Sequence, residues 1–171
     1  MKSGLSDMSL SSVSKKTTSF SISLADVRAT EELGKSLSRL LEIKDVVTLS
    51  GELGAGKTTL ARAIISELGH IHEVPSPTFT LVQYYDLQPV SIWHFDLYRL
   101  NSPEELLELD LDEARYSAIS LIEWPDRMGD FTPEERLEIK LSFDQDEQKR
   151  HAIITGYGNW ATRIREVQSA L

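Results

Sequence analysis

Apolar residues recur along this chain with two different periods, and the switches between them predict an α/β arrangement. Between Thr18 and Leu24, the apolar positions Phe20, Ile22 and Leu24 alternate with polar ones, as in a half-buried strand. Leu33, Leu37, Leu40 and Leu41 then share one helical face. From Asp45 to Ser50, Val46, Val47 and Leu49 make a short apolar run of the kind found in buried parallel strands. Helical spacing returns with Leu60, Ala61, Ile64, Ile65 and Leu68, and Gly69 is suited to end that helix. The order is therefore strand, glycine-rich loop, helix.

Further along, Thr78–Tyr85 and Ser91–Asp96 read as the two strands of a hairpin. Asp86–Pro89 is the turn between them, because Pro89 has no N–H for a ladder. Ser102, Pro103, Glu104 and Glu105 form a helix start with a capping hydroxyl, a proline and early acids. A second helix is expected around Glu113, followed by an apolar strand, Ala118–Ile122, that ends on Glu123. After Pro125 strand character resumes. Ile139, Leu141 and Phe143 alternate, a polar turn spans Asp144–Arg150, and His151–Thr155 returns. Trp160, Ile164, Val167 and Leu171 have helical spacing and are expected to dock on the sheet. Residues 1–16 are Ser-rich without a sustained period and read as a flexible N-terminal arm, leaving 17–171 as one domain. No internal repeat is present.

Composition narrows the chemistry. With 171 residues, 40% of them hydrophobic, the chain can build one sizeable core. It has no cysteine, which excludes disulfides, Cys-ligated zinc, thiol catalysis and iron–sulfur clusters. A formal charge of −9 opposes unaided binding to a phosphate backbone, so a nucleic acid would be held through a partner. No apolar run approaches the roughly 18 residues of a membrane span, and the N-terminus lacks a signal-peptide core; a cytoplasmic location is expected. His70, His72, His94 and His151 include no i, i+4 pair and read as ordinary surface or edge residues.

The strongest motif is Gly51-Glu52-Leu53-Gly54-Ala55-Gly56-Lys57-Thr58, continued by Thr59, which fits G-x-x-x-x-G-K-[ST] between a buried strand and a long helix. Gly51 and Gly56 permit backbone angles and close approach that a Cβ would forbid. Successive N–H groups then form an anion nest at the N-terminus of the helix, Lys57 can neutralise phosphate charge, and the Thr58 hydroxyl suits Mg²⁺. ATP and Mg²⁺ are the expected ligands. Such a loop needs a carboxylate from the end of a neighbouring strand, and two qualify: Glu123 and Asp96. Glu123 ends the more continuous apolar run and is expected to support the metal with Thr58. Asp96, on a strand that looks more solvated, is expected to orient the attacking water; the reverse assignment is also open.

Four segments together carry a family resemblance: Gly-Glu-Leu-Gly-Ala-Gly-Lys-Thr-Thr (51–59), Ser-Pro-Thr-Phe-Thr-Leu (76–81), His-Phe-Asp-Leu-Tyr-Arg (94–99) and Ile-Glu-Trp-Pro (122–125). In order and spacing, over about residues 20–157, the chain resembles TsaE, the small bacterial P-loop ATPase required for threonylcarbamoyladenosine in tRNA. The resemblance implies a P-loop NTPase fold with a mixed central sheet flanked by helices. It further implies a weak ATPase that joins TsaD and TsaB and meets tRNA only through that complex, where TsaD transfers the threonylcarbamoyl group and ATP turnover resets the assembly. By the family's motifs Lys57 and Thr58 map to the phosphate and metal site, Asp96 and Glu123 to the acidic positions near Mg²⁺, and Trp124 to a tryptophan beside them. Ser76–Thr80 falls where a switch-like loop would sense the γ-phosphate. Two features depart from the family: the Ser-rich arm, and Asp110, where related chains often carry Gly. A small-molecule kinase would use the same loop but needs an arginine-rich lid, and the middle of this chain is acidic (Glu104, Glu105, Glu108, Asp110, Asp112, Glu113). A nonenzymatic module in which ATP only sets shape is the other alternative; a GTPase is disfavoured because no Asn-Lys-x-Asp segment occurs.

Overall fold

The computed structural model describes residues 17–69, 71–146 and 148–171. The expected arm, residues 1–16, and His70 lie outside the described residues. Seven strands form one sheet, β1 (Thr17–Leu24), β2 (Val46–Ser50), β3 (Val82–Asp86), β4 (Ser91–Asp96), β5 (Ile119–Glu123), β6 (Arg136–Phe143) and β7 (Arg150–Tyr157). Their order is β1-β7-β6-β2-β5-β4-β3. The four central strands β6, β2, β5 and β4 run parallel, while β3 pairs with β4, β7 with β6 and β1 with β7 in antiparallel fashion. The helices are α1 (Val27–Ser38), α2 (Lys57–Gly69), α3 (Leu111–Ser117) and α4 (Trp160–Ala170).

Central strands need apolar residues on both faces, and β2 and β5 have them: Val46, Val47, Leu49, Ile119, Leu121 and Ile122 are all buried. One face packs Val47, Leu49 and Leu121 against Leu33 and Leu37 of α1, Leu60, Ile64 and Ile65 of α2, and Ile164 and Val167 of α4. The other joins Val46, Phe95 and Ile122 to Leu106, Leu111, Ala114 and Met128. Helices α1 and α2 cross so closely that a Cβ on Gly34 would stand 2.5 Å from that of Ala63. Arg163 of α4 ties its helix to the entry of β2 through Asp45 at 2.7 and 3.1 Å and the Leu40 carbonyl at 2.7 Å.

The structure departs from the sequence reading at several elements. Helix α1 ends at Ser38, so Leu40 and Leu41, expected on its face, lie beyond it. The strand expected from Thr78 begins only at Val82, because Thr78–Thr80 form a turn closed by the Leu81 N–H on the Pro77 carbonyl at 2.7 Å. The helix started by Ser102 is a short 3₁₀ segment, Pro103–Glu108, in which the Glu105 carboxylate accepts the Ser102 N–H at 3.1 Å. It stops before Asp110, whose φ of 52° is left-handed; that backbone favours Gly, and Asp is among the few other residues that tolerate it. After Pro125 a second 3₁₀ stretch, Pro125–Phe131, precedes β6. Finally, β4 is interior and buried, not solvated, since β3 lies outside it.

Candidate nucleotide site

Strand β2 delivers the chain to Gly51, whose φ is +139°, and a Cβ there would collide with the Leu141 carbonyl of β6. Gly56, at φ +107°, makes the last turn into α2. Lys57 thus opens α2 with its side chain folded back over the loop: its Nζ donates to the carbonyls of Gly51 and Glu52, each at 2.7 Å, and lies 3.9 Å from the centre of the Trp124 ring. Burial pushes the Lys57 ammonium below its usual range, and the nearby carboxylates Glu123, Asp96 and Asp126 partly offset that shift. Trp124 has a left-handed backbone at φ 59°, which turns its ring back over the loop and against Tyr98, centroid to centroid 4.9 Å.

The carboxylates stand side by side because Asp96 and Glu123 are register partners at the ends of β4 and β5. Glu123 is 1% exposed. Its Oε2 accepts the Thr58 hydroxyl at 2.8 Å, and its Oε1 meets His94 Nε2 at 2.8 Å. Asp96 faces elsewhere: Oδ2 accepts the Thr78 hydroxyl at 2.8 Å, Thr78 in turn meets Ser76 at 2.7 Å, and Oδ1 accepts the Tyr98 N–H at 3.1 Å. The two acids therefore serve different neighbours. Glu123 is bound to the first turn of the helix that follows the glycine loop, and Asp96 to the Ser76–Thr80 turn.

A cleft of about 200 Å³ collects Leu53, Gly54, Gly56, Lys57, Thr58, Thr59, Thr78, Asp96, Tyr98, Glu123 and Trp124. Of the residues expected in the site, Gly51 and Glu52 contribute carbonyls to Lys57 rather than lining the cleft, and Ala55 is buried beneath the loop. Sequence reasoning missed Tyr98, and it misread His94, which is fully buried rather than at a surface or edge. Its signal was its place two residues before Asp96 on one strand, hence on the same face of the sheet.

The donor set suits a phosphate and a hard cation. An ammonium sits at a helix N-terminus among glycines, and the oxygens of Thr58, Glu123 and Asp96 are of the type that Mg²⁺ prefers. Among the described residues no three His, Cys, Asp or Glu side chains gather into a metal cage. These residues could therefore hold Mg²⁺ only as a partial shell completed by phosphate and water, its usual manner.

A parallel core in which β2 passes through this loop into α2, with acids at the ends of neighbouring strands, defines a P-loop NTPase fold. The family model described as threonylcarbamoyl adenosine biosynthesis protein TsaE matches residues 24–152. By that match the chain belongs to the TsaE family. Its relatives include tRNA threonylcarbamoyladenosine biosynthesis proteins TsaE of Rickettsia felis and of Streptomyces coelicolor. The first is 39% identical over 127 residues, 74% of either chain. The second is 39% identical over 140 residues, 77% of this chain and 93% of the relative. The crystal structure of the Bacillus protein YdiB superposes with a TM-score of 0.74 at 25% identity, covering 90% of this chain and 96% of that one.

Proposed function

We propose that this protein binds ATP with Mg²⁺ and hydrolyses it weakly, in the service of threonylcarbamoyladenosine synthesis on tRNA, as a cytoplasmic partner of TsaD and TsaB. The observation that carries this reading is the convergence of Lys57, Thr58 and Glu123 on one glycine loop, in a chain of the TsaE family. When bound, Mg·ATP supplies the phosphoanhydride whose cleavage would reset the partner complex.

The chain's own residues divide the work. Lys57 balances phosphate charge from the N-terminus of α2, and its present hold on two loop carbonyls keeps the ammonium paired until a phosphate competes for it. Thr58 and Glu123, already hydrogen-bonded to each other, form the metal side of the site. Asp96 orients water. The reason first suggested by the sequence, a solvated strand, does not hold; the assignment rests instead on the bond from Thr78, which joins Asp96 to the turn expected to sense the γ-phosphate. Trp124 and Tyr98, packed against each other, wall the cleft.

The charge of −9 supports a role in which tRNA is held by the partners. Affinity capture from a bacterial lysate, with and without ATP, tests the assignment. Recovery of TsaD and TsaB in a nucleotide-dependent manner is expected, and recovery of neither under both conditions contradicts it.

A further inference from the structure

Glu123 is held at both oxygens, and only one of its partners belongs to the phosphate loop. Thr58 donates to Oε2 from the first turn of α2. His94 lies behind, on β4, with Nε2 at 2.8 Å from Oε1. The ring is fully buried, and its Nδ1 finds no partner among the described residues, so the imidazole has one polar contact and that contact is Glu123. Carrying its proton on Nε2, it donates to the carboxylate and leaves Nδ1 as the bare nitrogen. Burying a polar ring with one nitrogen unsatisfied costs stability that an apolar side chain at this place would not. Its neighbours on that face are Ile92, two residues earlier on the strand, Leu121, its register partner on β5, and Gln83, its register partner on β3, and none of them bonds to the ring.

We propose that His94 is a positioning residue for Mg²⁺ binding, acting through Glu123; the proposal rests on the nucleotide–metal reading above. A carboxylate at the end of a strand can rotate about its last torsion, which is broad and two-fold. Fixing Oε1 on His94 halts that rotation and presents Oε2 to Thr58 and the cleft. The imidazole therefore sets the orientation of a group that meets the cation, the task that outer hydrogen bonds perform for metal-binding carboxylates elsewhere. It touches neither nucleotide nor metal itself.

Isothermal titration of ATP with and without Mg²⁺ tests this on wild type, His94→Leu, His94→Gln and His94→Asn. Binding without Mg²⁺ should be unchanged in all four, because Lys57 and the loop amides are untouched. The Mg²⁺ concentration that gives half the metal-dependent gain should rise about tenfold or more in His94→Leu. In His94→Gln, whose amide nitrogen can reach Oε1 as Nε2 does, it should return toward wild type, whereas the shorter Asn should leave it raised. Should His94→Leu fail to fold, as a melting curve would reveal, the contrast of Gln with Asn decides alone. Half-saturation equal to wild type in His94→Leu or His94→Asn, with intact Mg²⁺-free binding, overturns the proposal, as does an equal rise in Gln and Asn. Wild type that binds no ATP under any condition would instead contradict the proposed function itself, a result separable from these.

Discussion

Lys57 is 4% exposed, and its ammonium is buried among two carbonyl oxygens and an indole face. Burial holds its folded value below the ordinary lysine value. The unfolded chain therefore takes up the proton more readily between the depressed value and the ordinary one, so in that window stability rises with pH, and below it the charged lysine counts against the ligand-free fold. Lys57→Met should accordingly raise the melting temperature of the ligand-free protein near neutral pH and flatten its alkaline rise, while abolishing measurable ATP binding in a titration. A Lys57→Met protein that melts lower and still binds ATP would contradict both halves. The loop's chemistry was legible in the sequence because it is local: glycines, lysine and threonine act within eight consecutive residues. His94 was not: the hairpin with β3 could be read, but the burial of the ring also needs β5 on the other side of β4 and a carboxylate from that strand, which its neighbours in sequence do not announce.

At the scale of elements, the pairing of Asp96 with Glu123 follows from two parallel strands that end in register. Both strands and both acids could be read from their apolar runs, but which acid served which neighbour could not, since the bonds from Thr58 and Thr78 span 65 and 18 residues. The Thr78–Thr80 turn escaped the strand reading for a local reason: a proline without an N–H and a run of hydroxyls let the backbone close on itself before the ladder starts. The division of labour has a kinetic signature. Glu123→Ala should lower Mg²⁺-dependent ATP affinity, whereas Asp96→Ala should keep ATP bound and slow hydrolysis about 10²-fold or more. Equal loss of binding in the two variants would defeat the division, and full hydrolysis in either would remove that residue from the site.

At the scale of the whole molecule, the seven strands and four α-helices of the described residues bring the candidate chemistry to one end of the parallel strands, the expected place for a ligand on an open α/β sheet. Acidic groups outnumber basic ones over the chain, 27 Asp and Glu against 18 Lys and Arg. A net charge of −9 disfavours a polyanion. In gel shifts at physiological salt the protein alone should give no submicromolar affinity for tRNA, and a tight, salt-sensitive complex without partners would contradict the indirect role. Under the function proposed above, ATP turnover would be weak in the protein alone and used on TsaD and TsaB. Its most direct test is the steady-state ATPase rate of the protein alone, with TsaD and TsaB together, and with the same pair when Lys57 is replaced by Ala. Slow turnover alone, a clear rise with the pair, and loss of that rise in Lys57→Ala are expected; a rate indifferent to the pair, or one that survives Lys57→Ala, would contradict the proposed function.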